Sequence, residues 1–132
     1  MTHEPPQSFE EFWPYYVSQH LHPVSRALHV VGTSIGLAHL PAVAVFPPAL
    51  VPALAWGYGL AWLGHFAFEK NRPASWNSAQ HLAWSFRGDM RMVRYTFTGR
   101  MKAEVDRVHD RLAAEEIEAA APGASSSPTV HA

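Results

Sequence analysis

At 132 residues, without cysteine and with a formal net charge of −1, the chain is sized for one domain and excludes disulfides, thiolate metal sites and a cysteine nucleophile. The charge balance also leaves no basic footprint for nucleic acid. The totals conceal a segregation: none of the ten basic or eleven acidic residues falls between Ala27 and Phe68.

Residues 1–7 read as a flexible leader, without the basic-then-apolar order of a signal peptide. Ser8 with Glu11 three residues on is a capping-box pattern, and Phe9, Phe12, Trp13, Tyr16 and Val17 recur at helical spacing. Pro14 is expected to kink or restart that helix. Trp13, Tyr15 and Tyr16 suit an anchor at lipid-headgroup level. An ordinary soluble amphipathic helix is the alternative.

A second helix opens at Pro23, where a missing N–H costs nothing, and runs over about 23–40. The stretch PAVAVFPPALVP follows. A loop in water should carry polar side chains and this one has none, so it is expected among lipid headgroups or below them. A third helix covers about 52–69, with Trp56, Tyr58 and Trp62. Each apolar helix is roughly 17–20 residues, about 25–30 Å long, enough to span a bilayer core. The expected fold is therefore all-α: a two-helix transmembrane hairpin flanked by amphipathic, interfacial helices, with a soluble bundle as the alternative. Arg26 at one end and Lys70, Arg72, Arg87, Arg91 and Arg94 beyond the other put both termini on the cytoplasmic side of a multi-pass protein.

From Trp76 to Arg100, large apolar residues mix with arginines, as in a segment lying on an anionic membrane or packing on the other helices. Residues 8–100 thus read as one membrane-embedded domain. Met101, Val105, Val108 and Leu112 then mark a soluble amphipathic helix over 101–119, and residues 120–132 have the composition of a disordered tail.

Ionisable residues at a membrane edge are functional candidates, because leaving them unpaired there is costly. His39 and His81 read as hydrogen-bonded structural residues. His20 and His22 end the first helix, His29 lies two turns into the second, and His65 lies in the last turn of the third, which the hairpin returns to the same side. Glu69, at i+4 from His65, is expected on the same helical face. Such a set suits Zn, Fe(II) or Mn; a hydrogen-bonded histidine cluster without metal is the alternative.

Two blocks, FWPYYVSQHLHPVSRALHVVGT and GYGLAWLGHFAFEKNRPASW, resemble the signatures of the 2-hydroxy-fatty-acid dioxygenase family over roughly residues 9–100. The Gly-His-x₃-Glu-Lys-x-Arg-Pro string is the specific part. The resemblance implies His20, His29 and His65 as metal ligands and Glu69 as a fourth ligand or a partner orienting His65. It also implies Fe(II) as cofactor, with O₂ and a fatty-acid-type substrate as reactants. The reaction would shorten a 2-hydroxy fatty acid by one carbon, within the lipid bilayer of a bacterial inner membrane. Arg26, Lys70 or Arg72 could hold the substrate carboxylate, though topology alone also explains them. Ser25 stands where family members usually carry Asn. Two spans make a thin wall for an active site, so a homodimer is compatible. Other functional readings are a non-catalytic membrane protein and a zinc-dependent lipid hydrolase.

Overall fold

The computed structural model describes residues 5–121, which contain helices and no strand. In chain order these are α1 (Phe9–Ser18), α2 (Pro23–Ala38), α3 (Leu40–Val45), α4 (Leu50–Leu63), a π-helical segment (Gly64–Glu69), α5 (Ala79–Phe97) and α6 (Met101–Ala120). The expected tail from 122 onward lies outside the described residues.

Ser8 caps α1 by accepting the Glu11 N–H through Oγ, while the Glu11 carboxylate reaches back to the Gln7 N–H, one residue short of a full capping box. The helix runs through Pro14 without restarting. Its aromatic stripe is not a headgroup anchor. Phe9, Phe12, Trp13, Tyr16 and Val17 are all buried, against Met92 of α5 and Met101, Val105 and Val108 of α6. Arg91 ties the two ends of this packing together, lying over the Phe9 and Trp13 rings and pairing with Glu10. The pairing holds the Glu10 carboxyl below its usual range.

The apolar middle folds back on itself, and α2 and α4 make the most extensive contact of any two helices. Glycine sets how closely they approach. A Cβ on Gly32 would lie 2.9 Å from the Trp56 carbonyl oxygen and 3.1 Å from that of Gly57; one on Gly36 would lie 3.2 Å from the Ala53 oxygen. One on Gly64 would lie 2.9 Å from Ser25 Oγ. Rising numbers on α2 meet falling numbers on α4, so the pair is antiparallel. Small residues four apart are the usual device for bringing helix backbones together in an apolar medium.

The prolines between the two helices do not make a loop. Pro41 sits in the first turn of α3 and Pro47 opens a 3₁₀ turn, positions where the missing donor is harmless. The helical stretch Pro23–Val45 is consequently longer than expected, and it alone among the described residues is long and apolar enough to cross a membrane by length and composition. The hairpin exposes many large apolar side chains. Val45 is 85% exposed and Val51 71%, and Trp56, Leu63 and Phe66 are also exposed.

A branched side chain at Gly32 must push backbone away, because the atoms it meets are carbonyl oxygens. Gly32→Val should destabilise the protein by about 1–3 kcal/mol, read as a fall in unfolding temperature. Gly59→Ala, which meets nothing within 4 Å, should leave that temperature unchanged or raise it.

Candidate metal centre

Three histidines from three segments meet. His20 follows α1, His29 is on α2 and His65 on the π-helical segment; their exposures are 1%, 4% and 3%. One ring nitrogen from each lies within 4.8 Å of the other two, and the ring centroids are 4.4, 4.7 and 5.0 Å apart.

In each ring Nδ1 is already engaged. His20 Nδ1 lies 2.6 Å from the Tyr16 carbonyl oxygen, His29 Nδ1 lies 3.0 Å from Asp89 Oδ1, and His65 Nδ1 lies 2.7 Å from Asn71 Oδ1. The first two acceptors have no proton to give, so those Nδ1 atoms carry the hydrogen and donate it. Asn71 is oriented likewise: its Nδ2 donates to the Gln19 carbonyl and to Gln19 Oε1, both at 3.1 Å, which turns its oxygen toward His65. Every Nε2 is left with a lone pair. Those of His20 and His29 are buried without any partner. A buried polar atom left unsatisfied costs about 1–3 kcal/mol, and a cation between the three rings would remove that cost. Histidine ligands usually donate their second ring N–H to a carboxylate or carbonyl in this manner. Burial, with some repulsion from the neighbouring imidazoles, pushes His20 well below the usual histidine range, so it stays neutral and available as a donor of its lone pair.

Local structure explains each placement. The Tyr16 hydroxyl also donates to Asp89 Oδ1, so this one residue orients His20 through its carbonyl and His29 through its phenol. Burial and the adjacent Asp89 carboxylate raise the phenol above its usual range, keeping it a donor. Gly88 makes room: a Cβ there would fall 2.8 Å from the Tyr16 ring. The π-helical segment widens the turn that carries His65, so that the Lys70 N–H bonds to the His65 carbonyl five residues back. Lys70 then takes a left-handed conformation, φ 55° and ψ 36°, and returns the chain so that the Asn71 N–H meets the same carbonyl and its side chain meets the imidazole.

The remaining expected residues are elsewhere. Glu69 does not reach the cluster; Oε1 accepts the His22 backbone N–H at 2.8 Å, and His22 Nδ1 in turn accepts the Val24 N–H to cap α2. The partner orienting His65 is Asn71, six residues on, because the i+4 rule assumes an α-helical turn. Arg26 donates through Nη1 to the carbonyls of His20 and Leu21, Lys70 is exposed, and Arg72 lies over Trp76. His39 and His81 are hydrogen-bonded, to the Ile35 carbonyl and Ser78 Oγ.

A cavity of about 180 Å³ opens from the cluster along the α2–α4 seam, with residues 73–75 and α5 forming its other wall. Tyr16, Asp89 and the three histidines line one end, and no Lys or Arg among the described residues lines any of it. Asp89, Asn71 and Gln19 escape inspection of the sequence. The available signal was Asp89 as the sole acid between Glu69 and Glu104, beside a glycine within a helix.

The family described as 2-hydroxy-palmitic acid dioxygenase Mpo1-like matches residues 6–101, and the chain belongs to that family. No curated protein and no solved structure matches it.

Anaerobic addition of Fe(II) to metal-free protein should raise its unfolding temperature, by the equivalent of about 2.7 kcal/mol when free ion exceeds Kd a hundredfold. His65→Ala should abolish the rise. Asp89→Asn, which keeps the side-chain size and removes the charge facing His29, should weaken binding about 10–100-fold. Unchanged affinity in both variants would place the ion elsewhere.

Proposed function

We propose that the chain is an Fe(II)- and O₂-dependent dioxygenase that removes the carboxyl carbon of a 2-hydroxy fatty acid from within a membrane. The observation that carries this reading is the set of three histidine ring nitrogens within 4.8 Å of one another at one end of a largely apolar cavity, together with the family's description. Iron suits imidazole ligands and would supply O₂ binding and electron transfer.

The chain's own residues hold and exclude. His20, His29 and His65 are the proposed ligands, leaving other coordination positions open, with Tyr16, Asp89 and Asn71 fixing their rings. The substrate's carboxylate and 2-hydroxyl would enter beside them, where the hydroxyls of Ser75 and Ser85 also face the cavity. Arg26, Lys70 and Arg72 lie outside the lining, which favours the ion over a guanidinium as the carboxylate's partner. Leu37, Leu40 and Leu54 give the cavity beyond the histidines an apolar lining. The balance is a hydroxyacid plus O₂ giving the shortened acid, CO₂ and water.

Membrane residence has its own support. α4 is apolar all round, yet Ala53 is its sole fully buried residue. Such a helix needs an apolar medium on its outer faces, and lipid supplies one. We assign α2–α3 and Leu50–Glu69 as the two limbs of a membrane hairpin with both termini cytoplasmic, extended on the cytoplasmic side by α5 and α6.

Under ¹⁸O₂, 2-hydroxypalmitate should give a shortened acid carrying label, with oxygen uptake lost in His65→Ala. An unlabelled product would end the oxygenase reading, and turnover with zinc but without oxygen uptake would identify a hydrolase.

The natural absence of cysteine permits a topology test. In intact cells a membrane-impermeant maleimide should label Ala44→Cys from outside and leave Lys102→Cys untouched until the cells are opened. Protection of both positions would mean a re-entrant hairpin whose turn does not reach the outer face.

A further inference from the structure

The walls of the cavity run in register. From His29, the residues facing it on α2 and the start of α3 are Thr33, Leu37 and Leu40; from His65, those on the other limb include Ala61, Gly57, Ala53 and Leu50. Both series step by three or four, so each is one helical face, and each begins at a histidine of the cluster. The stripe on α2 covers roughly 16 Å at ~1.5 Å per residue. Polar groups gather at one end, where Ser85 Oγ is buried without a partner. Beyond Thr33 the walls are apolar. A volume of about 180 Å³ drawn out over that length is narrow.

We propose that this cavity is an acyl-chain groove: the head of a single unbranched fatty acid lies at the histidines, its tail runs between α2 and α4, and the Leu40–Leu50 end sets the preferred chain length. The proposal rests on the dioxygenase reading only for the nature of the head. The geometry gives the tail a place inside the protein. Small residues such as Gly36, Ala53, Gly57 and Ala61 leave the groove open between the larger side chains that line it, Leu37, Leu54 and Tyr58 among them. The apolar walls beyond Thr33 and the narrowness together favour one polymethylene chain over a ring system or a branched lipid. A phospholipid could also offer one of its acyl chains, and the test separates the two sources.

Full-length protein in phosphatidylcholine nanodiscs, with no metal added, would be irradiated with two photoactivatable palmitic acids. One carries its diazirine near the carboxylate and the other near the methyl end, and labelled peptides would be mapped by mass spectrometry. The head-proximal probe should label the neighbourhoods of Thr33 and Ala61, and the methyl-end probe those of Leu40 and Leu50. Excess 2-hydroxypalmitate should suppress both. Labelling spread over the outward residues Val31 and Val51 and unaffected by competitor would overturn the groove, as would suppression by added phospholipid but not by the free acid. Ala53→Leu should favour competition by 2-hydroxydecanoate over 2-hydroxypalmitate by about tenfold relative to wild type. Should that variant not fold, Leu40→Ala with Leu50→Ala should move the preference toward longer acids. An unchanged ranking in whichever variant folds sinks the proposal. Because labelling needs no turnover, position-dependent labelling without oxygen uptake would keep the groove and remove the dioxygenase, whereas turnover with scattered labelling would do the reverse.

Discussion

The distance between α2 and α4 governs everything at the cluster. Gly64 packs against Ser25, whose hydroxyl would lie 2.9 Å from a Cβ on residue 64, and the next residue on one side is His65 while His29 lies one turn beyond on the other. Were the two backbones farther apart by the radius of a methyl group, the two imidazoles would no longer reach one ion. Glycine weakens an isolated helix by roughly 1 kcal/mol relative to alanine. Here that loss is offset by backbone contact that only a missing Cβ allows.

Closeness brings rings together; orientation makes them a site. Three different acceptors take the three Nδ1 hydrogens: a backbone carbonyl, a carboxylate and a side-chain amide. Each acceptor comes from a different part of the chain, and two of the paths pass through Tyr16. The hydrophobic core of α1, α5 and α6 therefore does more than hold those three helices together. By burying Tyr16 against Gly88 it fixes the direction in which two of the lone pairs point.

How much of this was legible in the sequence divides along physical lines. The three histidines could be grouped because a hairpin needs only a reversal of direction to superpose its ends, and uncharged composition marks the hairpin. The roles of Trp13 and Tyr16 could not be read, since spacing shows which residues share a face but not whether protein or lipid covers it. Glu69 was assigned to the wrong neighbour because the turn around His65 is not α-helical, and no local residue pattern declares that. Asn71 depends on Lys70 taking a left-handed conformation usually left to glycine or asparagine. Asp89 sits on a helix whose rotation about its own axis is decided by distant packing. Chain direction was readable; rotation was not.

The π-helical turn under His65 holds one residue more than an α-helical turn would. Deleting a single residue between Gly64 and Glu69 would let the backbone relax to the commoner helix, swinging whatever precedes or follows by about 100°. Substitution there trades one side chain for another, whereas an indel changes the azimuth of an imidazole relative to its two companions. Among homologues this stretch should accordingly tolerate drift in identity at the outward positions Phe66 and Phe68 while keeping its residue count invariant.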